Sequence, residues 1–267
     1  MADAARLWLA YASASVRSQM QYRASFVASA LGQFLSTGIE FVAVWALFDR
    51  FGALDAWSLA EVAVFYGVAH VSLALADLVS TGWDQSYKLI RMGHLDRLLL
   101  RPRTTVLQLL GYEFQLRRLG RLAQGATVLA WATASVGVGW TWGGALLLVG
   151  AVVGGACLFL GLFVLQGTMA IWTVESLEVV NATTYGGVQA AQYPLSIYER
   201  WFRRFFTYLV PLAAVVYFPV VAALGKPDPL GVPHWVGAVS WVVGPVFLAG
   251  AFGAWGVGVR HYTSTGS

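Results

Sequence analysis

The sequence of 267 residues is 58% hydrophobic and only 11% charged, with a formal net charge of +4. Soluble domains carry about 25% charged residues, so this composition excludes a soluble globule and predicts an all-α polytopic membrane protein of about six transmembrane helices. The positive charge does not indicate nucleic-acid binding, because the cations lie between apolar runs, where they orient the chain and contact anionic lipid. The single cysteine, Cys157, lies in an apolar run and predicts neither a disulfide framework nor a cysteine-based metal site.

Residues 1–23 are predicted to form an amphipathic helix that lies in the membrane interface before the first span. Arg6 and Arg17 fall on one helical face, and Leu7 and Trp8 fall on another. The alternative is a frayed terminal tail, which the aromatic side chain of Trp8 disfavours.

Residues 24–82 contain the first two predicted spans, from about Ala24 to Phe48 and from about Leu59 to Thr81. Each has at least the ~20 residues that a bilayer requires. Glu40 lies in the middle of the first span, where a charged side chain is costly and therefore a candidate for function. It either lines a substrate pathway or pairs with a polar side chain of a neighbouring helix.

Residues 83–118 separate the second and third spans and are expected to lie in the cytoplasm. The stretch from Lys88 to Pro102 carries mostly basic side chains against one acid, Asp96. Apolar side chains recur there at helical spacing, which predicts a short amphipathic helix over residues 88–101, although Gly93 interrupts the pattern. We interpret this helix as a docking element. The alternative is a basic loop that only fixes the orientation of the chain.

Residues 119–192 are predicted to hold spans three to five. The third runs from about Leu119 to Val138, and the fourth begins near Gly144. Gly150 and Gly154 give the fourth span a small-residue face, which either packs closely against another helix or faces lipid.

The segment 167–192 is only mildly apolar. It is either a weak fifth span that lines a polar cavity or a cytoplasmic extension of the fourth span. Side chains that recur in it at three-residue steps share one helical face: Trp172, Glu175, Glu178 and Asn181. They are candidates for lining a pathway, and a solvated helix face is the alternative.

Residues 193–234 are predicted to form a re-entrant or outer segment before the last span at 235–259. The apolar run from Phe205 to Leu224 contains Pro211 and Pro219. Two prolines in one apolar run favour a kinked or re-entrant element, because proline removes a helical hydrogen bond.

The distribution of cations predicts that both termini lie in the cytoplasm, by the positive-inside rule. One basic cluster does not fit this pattern, namely Arg200, Arg203 and Arg204. If residues 167–192 cross the membrane, the cluster lies outside the cell. If they do not, it lies inside.

The sequence lacks a phosphate-binding loop, a His-Glu-x-x-His motif and a Gly-x-Ser-x-Gly motif. Its four histidines are scattered along the chain, so we predict no catalytic residue and no metal site. If the protein does active work, the energy must come from another subunit or from an ion gradient. A gradient-driven secondary transporter is therefore the alternative function.

The order of these elements resembles that of the permease subunits of type-2 ABC exporters over essentially the whole chain. Ile90–Pro102 is similar to the family's Gly-x-Leu-Asp-x-x-Leu-x-Arg-Pro pattern after the second span. Tyr193–Tyr198 (Tyr-Pro-Leu-Ser-Ile-Tyr), with Leu209–Leu212 and Tyr217–Pro219, is similar to the family's segment before the last span. The chain looks closest to the subfamily that combines two different permeases with one ATPase and is linked to drug or viologen-like export.

The resemblance implies a non-catalytic permease subunit that consists of a single transmembrane domain in the bacterial cytoplasmic membrane. This subunit would form the substrate pathway together with a second permease, which is either identical or related. ATP and magnesium would bind a separate dimer of ATPase subunits and not this chain. The resemblance also favours re-entrant helices on the outer side for Phe205–Leu224. The ATPase would dock on the 88–101 helix, through Lys88, Ile90, Arg91, Gly93, His94, Leu95, Asp96, Leu99 and Arg101.

Overall fold

The structure, a computed structural model, describes the backbone of residues 2–173 and 177–263, and these residues contain helices but no β-strand. This confirms the all-α fold. The helices are α1 (Ala2–Met20), α2 (Arg23–Phe51), α3 (Leu59–Asp84), α4 (Ser86–Arg91), α5 (His94–Leu99), α6 (Thr105–Leu110), α7 (Leu119–Ser135), α8 (Trp142–Met169), α9 (Leu177–Ala191), α10 (Arg200–Arg204), α11 (Phe218–Ala223) and α12 (Ser240–His261). Short 3-10 turns cover Leu116–Arg118, Leu195–Ile197 and His234–Val239, and π-helical turns cover Phe205–Leu209 and Ala213–Tyr217.

Four helical segments in the described part of the chain are long and apolar enough to cross a membrane: Arg23–Phe51, Leu59–Arg91, Trp142–Met169 and His234–His261. A bent helix pair over residues 200–223 is a fifth candidate. The sequence predicts about six spans, and the predicted third span is the shorter α7, with 17 residues. This helix ends just before Gly137, whose φ of 70° does not continue a right-handed helix.

Helix α3 is the centre of the fold. It is apolar on all sides and almost completely buried, and it packs mainly against α7 and α8. Ser58 and Glu61 cap its first turn, since each side chain bonds the backbone N–H of the other residue. Helix α2, by contrast, leaves most of its surface exposed within this single subunit.

Helices α8 and α12 pack through glycines. A β-carbon built at Gly154 would lie 2.5 Å from the carbonyl oxygen of Ser240, and Gly244 of α12 lies directly against the Gly154 backbone. The small-residue face of the fourth span is therefore a helix-packing face and not a lipid-facing one.

The described ends of the segment 167–192 lie at different levels along α3. Gly167 lies against Trp83 near the end of α3, Gln192 lies beside His70 in its middle, and Ser196 accepts a 3.1 Å hydrogen bond from Trp57 just before its first turn. This course favours a crossing segment over a cytoplasmic extension of the fourth span. It also places the Arg200 cluster and the docking region at opposite ends of α3.

The prediction of a single helix over residues 88–101 is wrong in one respect. The structure divides it into α4 and α5, because Gly93 adopts a left-handed conformation with φ of 65°. Backbone of that hand interrupts the right-handed ladder of hydrogen bonds.

The apolar run after residue 205 bends as its prolines predict. The helical arms Arg200–Leu209 and Ala213–Ala223 meet at 84° around Pro211. Pro219 causes no second break, because it occupies the first turn of α11, where no N–H bond is required of it.

Candidate functional site

The first candidate site is the basic tip, which we define as residues 86–103. Helices α4 and α5 turn apolar side chains inwards, and Ile90 and Leu95 are each less than 5% exposed. These two predicted docking residues therefore support the surface from below and are not accessible to a partner. The predicted docking residues that are exposed are Lys88, Arg91, Leu99 and Arg101, and Gly93, His94 and Asp96 are half-buried.

The exposed face of the basic tip combines positive charge with apolar side chains. Leu100 is 86% exposed and Met92 is 53% exposed, and both lie between arginines in the sequence. Apolar groups surrounded by cations are typical of a protein contact surface. Both residues lie within the segment 88–101 that the resemblance assigns to docking, although neither is among the docking residues named above.

The basic tip is attached to the spans by hydrogen bonds and aromatic packing. Ser86 donates to the carbonyl of Trp83 at 2.7 Å, and Trp83 packs edge-on against Trp255 of α12. Trp255 in turn donates to Thr105 of α6 at 2.9 Å. The region of the basic tip is thus in contact with both α3 and α12.

The N-terminal helix is also fastened to this region. Trp8 donates to the carbonyl of Leu110 at 3.2 Å, and Ser15 exchanges hydrogen bonds with the backbone of Phe114. Gln19 accepts from the N–H of Leu116 at 3.0 Å. Helix α1 is therefore joined to the chain that leads from the basic tip into α7.

The second candidate site is a polar cavity of about 330 Å³ among α2, α3, α7 and α9. Glu40 of α2 is 43% exposed at this cavity, and its Oε2 lies 3.9 Å from Nε2 of His70. Of the predicted pathway residues, Glu40 is thus placed at a cavity. The complete lining is Glu40, His70, Leu73, Arg121, Tyr185, Gly186, Val188 and Gln189.

His70 forms the buried wall of the polar cavity. Its ring stacks on Tyr66 with centroids 4.0 Å apart, and its Nε2 lies 3.4 Å from Oε1 of Gln192. The Nδ1 atom is buried and has no hydrogen-bond partner in the structure. His70 is therefore a packed residue with a polar contact to Gln192, and its imidazole lies beside Glu40.

Arg121 connects the polar cavity to a buried ion-pair cluster. Its Nη1 lies 2.8 Å from Oδ2 of Asp77, and Nη1 of Arg118 lies 3.1 Å from the same oxygen. Only 1% of the Asp77 side chain is exposed. Sequence reasoning missed this cluster because Asp77 and the two arginines come from separate segments that only the tertiary fold brings together.

The remaining predicted pathway residues are separate from this cavity or undescribed. Trp172 is 56% exposed and does not line the polar cavity. Glu175 lies outside the described residues, and so do the side chains of Glu178 and Asn181. Within the residues that the structure describes, no three potential metal-ligating side chains come together.

The comparison with protein families gives one result. A family model described as ABC-2 family transporter protein matches residues 34–266, which is most of the chain. No curated protein and no solved structure matches the sequence. The matched range includes both candidate sites.

Proposed function

The chain belongs to the ABC-2 family of transporter proteins and is a permease of an ABC transporter, and from this premise we propose that it is the pathway-forming subunit of an exporter driven by a separate ATPase. The observation that carries the proposal is the pairing of two features on one rigid frame. An accessible cationic and apolar tip stands at one end of α3, and a polar cavity lies beside its middle.

The basic tip is the proposed docking surface for the ATPase. Leu100 and Met92 supply apolar contact, and the surrounding arginines supply charge that an acidic cleft would complement. The buried residues Ile90 and Leu95 fix this surface to the core. Movement of the docked ATPase would reach α3 and α12 through Trp83 and Trp255.

A second permease is proposed to cover the exposed side of α2. Glu40 is 43% exposed in this subunit, midway along a helix of 29 residues. A carboxylate that faced lipid there would cost roughly 3 kcal/mol. Contact with a second permease, identical or related, removes that cost and encloses the polar cavity between the subunits as a pathway.

Co-purification tests the docking proposal. The permease is expressed with an ABC ATPase from the same genome, and the charge-reversed variant Arg97→Glu/Arg101→Glu is compared with wild type. The ATPase is expected to co-elute with wild type and to be lost from the variant. The matched control is Arg200→Glu/Arg204→Glu at the opposite end of α3, which is expected to retain it.

Retention of the ATPase by the Arg97→Glu/Arg101→Glu variant would refute the docking surface. Leu100→Arg provides a second variant, since the side chain is almost fully exposed and its replacement does not disturb the core. Gly93→Trp is a weaker test, because the left-handed backbone there opposes any larger side chain and the variant would also strain the fold.

Gradient-driven transport is the second candidate, and the contact between Glu40 and His70 is the observation that favours it. A carboxylate beside an imidazole within a membrane is typical of proton relays. Transport into inverted vesicles distinguishes the two functions. Dependence on ATP that persists when the proton gradient is collapsed supports the exporter, and loss of transport on collapse supports the alternative.

A further inference from the structure

Three arginines lie close together in the helical arm Arg200–Leu209, at the end of α3 opposite the basic tip. They are Arg200, Arg203 and Arg204. Among residues 2–173 and 177–263, none of the ion pairs in the structure involves any of them. From residue 193 to residue 224 the sequence contains a single acid, Glu199, so the arm carries a clear excess of positive charge.

The direction of this arm follows from the bend. The second arm, Ala213–Ala223, is packed inside the helix bundle, where Val216 and Val220 are almost inaccessible. The first arm meets it at 84° and is therefore turned away from the direction of the second arm. The beginning of the first arm follows Ser196, which accepts a hydrogen bond from Trp57 just before α3, so the arm starts at that end of the bundle.

The two sides of the first arm differ. Phe206 is buried, and Phe202 stacks on Tyr198 with centroids 4.6 Å apart. Burial raises the pKa of Tyr198 to about 12, so its hydroxyl stays protonated and donates to the carbonyl of Ala190 at 3.2 Å. The other side exposes Trp201 by 70%, Tyr208 by 83% and Leu209 by 67%.

Other exposed tryptophans mark the same end of the molecule. Trp142 is 93% exposed at the start of α8, and Trp235 is 72% exposed just before α12. Gly144 and Gly237 place these two starts against residues 222–223 at the end of α11. Exposed tryptophan is enriched at the level of the lipid headgroups. Lys226, just after α11, donates to the carbonyl of Ala56 next to Trp57, and Trp57 bonds Ser196, so the beginning of the first arm lies near that level.

We propose that the arm Arg200–Leu209 binds the phosphate headgroups of anionic phospholipids. The guanidinium groups of the three arginines form charge-assisted hydrogen bonds to phosphate. Trp201, Tyr208 and Leu209 insert beside the acyl chains, as expected for a helix in the interface. The inference does not depend on the proposed function, because it concerns lipid contact alone.

Lipid-selective quenching tests the proposal on the full-length protein. Cys157→Ser removes the native thiol, and Tyr208→Cys carries a bimane label next to the arginines. The protein is reconstituted with brominated phosphatidylglycerol or with brominated phosphatidylcholine at equal mole fraction. We expect stronger quenching by the anionic lipid, corresponding to an apparent affinity about fivefold higher per arginine.

The variant Arg200→Gln/Arg203→Gln/Arg204→Gln is expected to lose the preference for phosphatidylglycerol. The corresponding lysine variant is expected to keep most of it, which separates loss of charge from loss of fold. The control Arg97→Gln/Arg101→Gln/Arg103→Gln removes the same charge from the basic tip and is expected to leave the preference unchanged.

Equal quenching by the two lipids in the wild-type protein would overturn the proposal, and so would an absence of quenching by either. Inorganic phosphate is compared with chloride at matched ionic strength. If phosphate abolishes the preference, the arginines form a site for free phosphate and the assignment to lipid is wrong.

Discussion

Asp77 of α3 and Arg121 at the beginning of α7 are 2.8 Å apart, measured from Oδ2 to Nη1, in a place where 1% of the carboxylate side chain is exposed. Arg118 shares the same oxygen at 3.1 Å. Arg121 also lines the polar cavity, so this ion pair links the helix that leads into the basic tip with the wall of the proposed pathway.

The first prediction is that Asp77→Asn strongly destabilises the protein. The substitution leaves Arg118 and Arg121 without their carboxylate, and a buried uncompensated charge costs about 3 kcal/mol or more. Unfolding in mixed detergent micelles measures the loss. The control is Asp49→Asn at the exposed end of α2, which is expected to change stability by less than about 0.5 kcal/mol. Equal stability of both variants would show that the cluster is not needed for the fold.

The second prediction concerns the packing of α8 on α12. Gly154→Val places a β-carbon 2.5 Å from the carbonyl oxygen of Ser240, so the helices must separate. Overpacking of this kind costs about 2 kcal/mol. Gly250→Val introduces the same side chain where no atom lies within 4 Å and is the matched control. Unfolding midpoints that do not differ between the two variants would contradict the packing interpretation of this glycine face.

Sequence reasoning predicted the main elements because membrane spans are set by local composition. The apolar runs of α2, α3, α8 and α12 follow directly from the length that a bilayer requires. The break at Gly93 depends on the backbone conformation of one residue, and the length of α7 depends on where Gly137 turns. Hydrophobicity does not report either feature, which is why the single helix over 88–101 was predicted incorrectly.

The candidate sites were only partly predictable for a different reason. Glu40 can be recognised as a candidate from the sequence alone, because an acidic side chain within an apolar membrane span is costly whichever side of the helix it lies on. His70, Arg121 and Gln192 come together from three separate segments, and their contacts depend on tertiary packing. The set of residues that meets at the polar cavity is therefore determined by the tertiary fold and not by any one sequence motif.

The third prediction is that Glu40→Gln impairs transport without unfolding the protein. The side chain is 43% exposed and has one distant partner, His70 at 3.9 Å, so we expect a stability change of less than about 0.5 kcal/mol. Substrate-stimulated ATP hydrolysis and vesicle transport by the assembled transporter are expected to fall together. Ser36→Ala, one turn away on the exposed face of α2, controls for substitution in the same helix. Unchanged transport by Glu40→Gln would remove this residue from the pathway.

The fourth prediction is that Gln19→Ala frees α1 from the chain that follows the basic tip. Gln19 accepts from the N–H of Leu116 at 3.0 Å and donates to the carbonyl of Phe114 at 2.5 Å, so the variant loses two long-range hydrogen bonds. Each bond contributes about 1 kcal/mol, so losing both costs about 2 kcal/mol. If local opening controls exchange, this corresponds to roughly thirtyfold faster amide exchange at Leu116. Gln21→Ala removes an exposed glutamine two residues away and is expected to leave exchange unchanged. If the Leu116 amide stays protected in Gln19→Ala, the hydrogen bonds of Ser15 and Trp8 are enough to hold α1. The attachment of α1 to the chain after the basic tip would then not depend on Gln19.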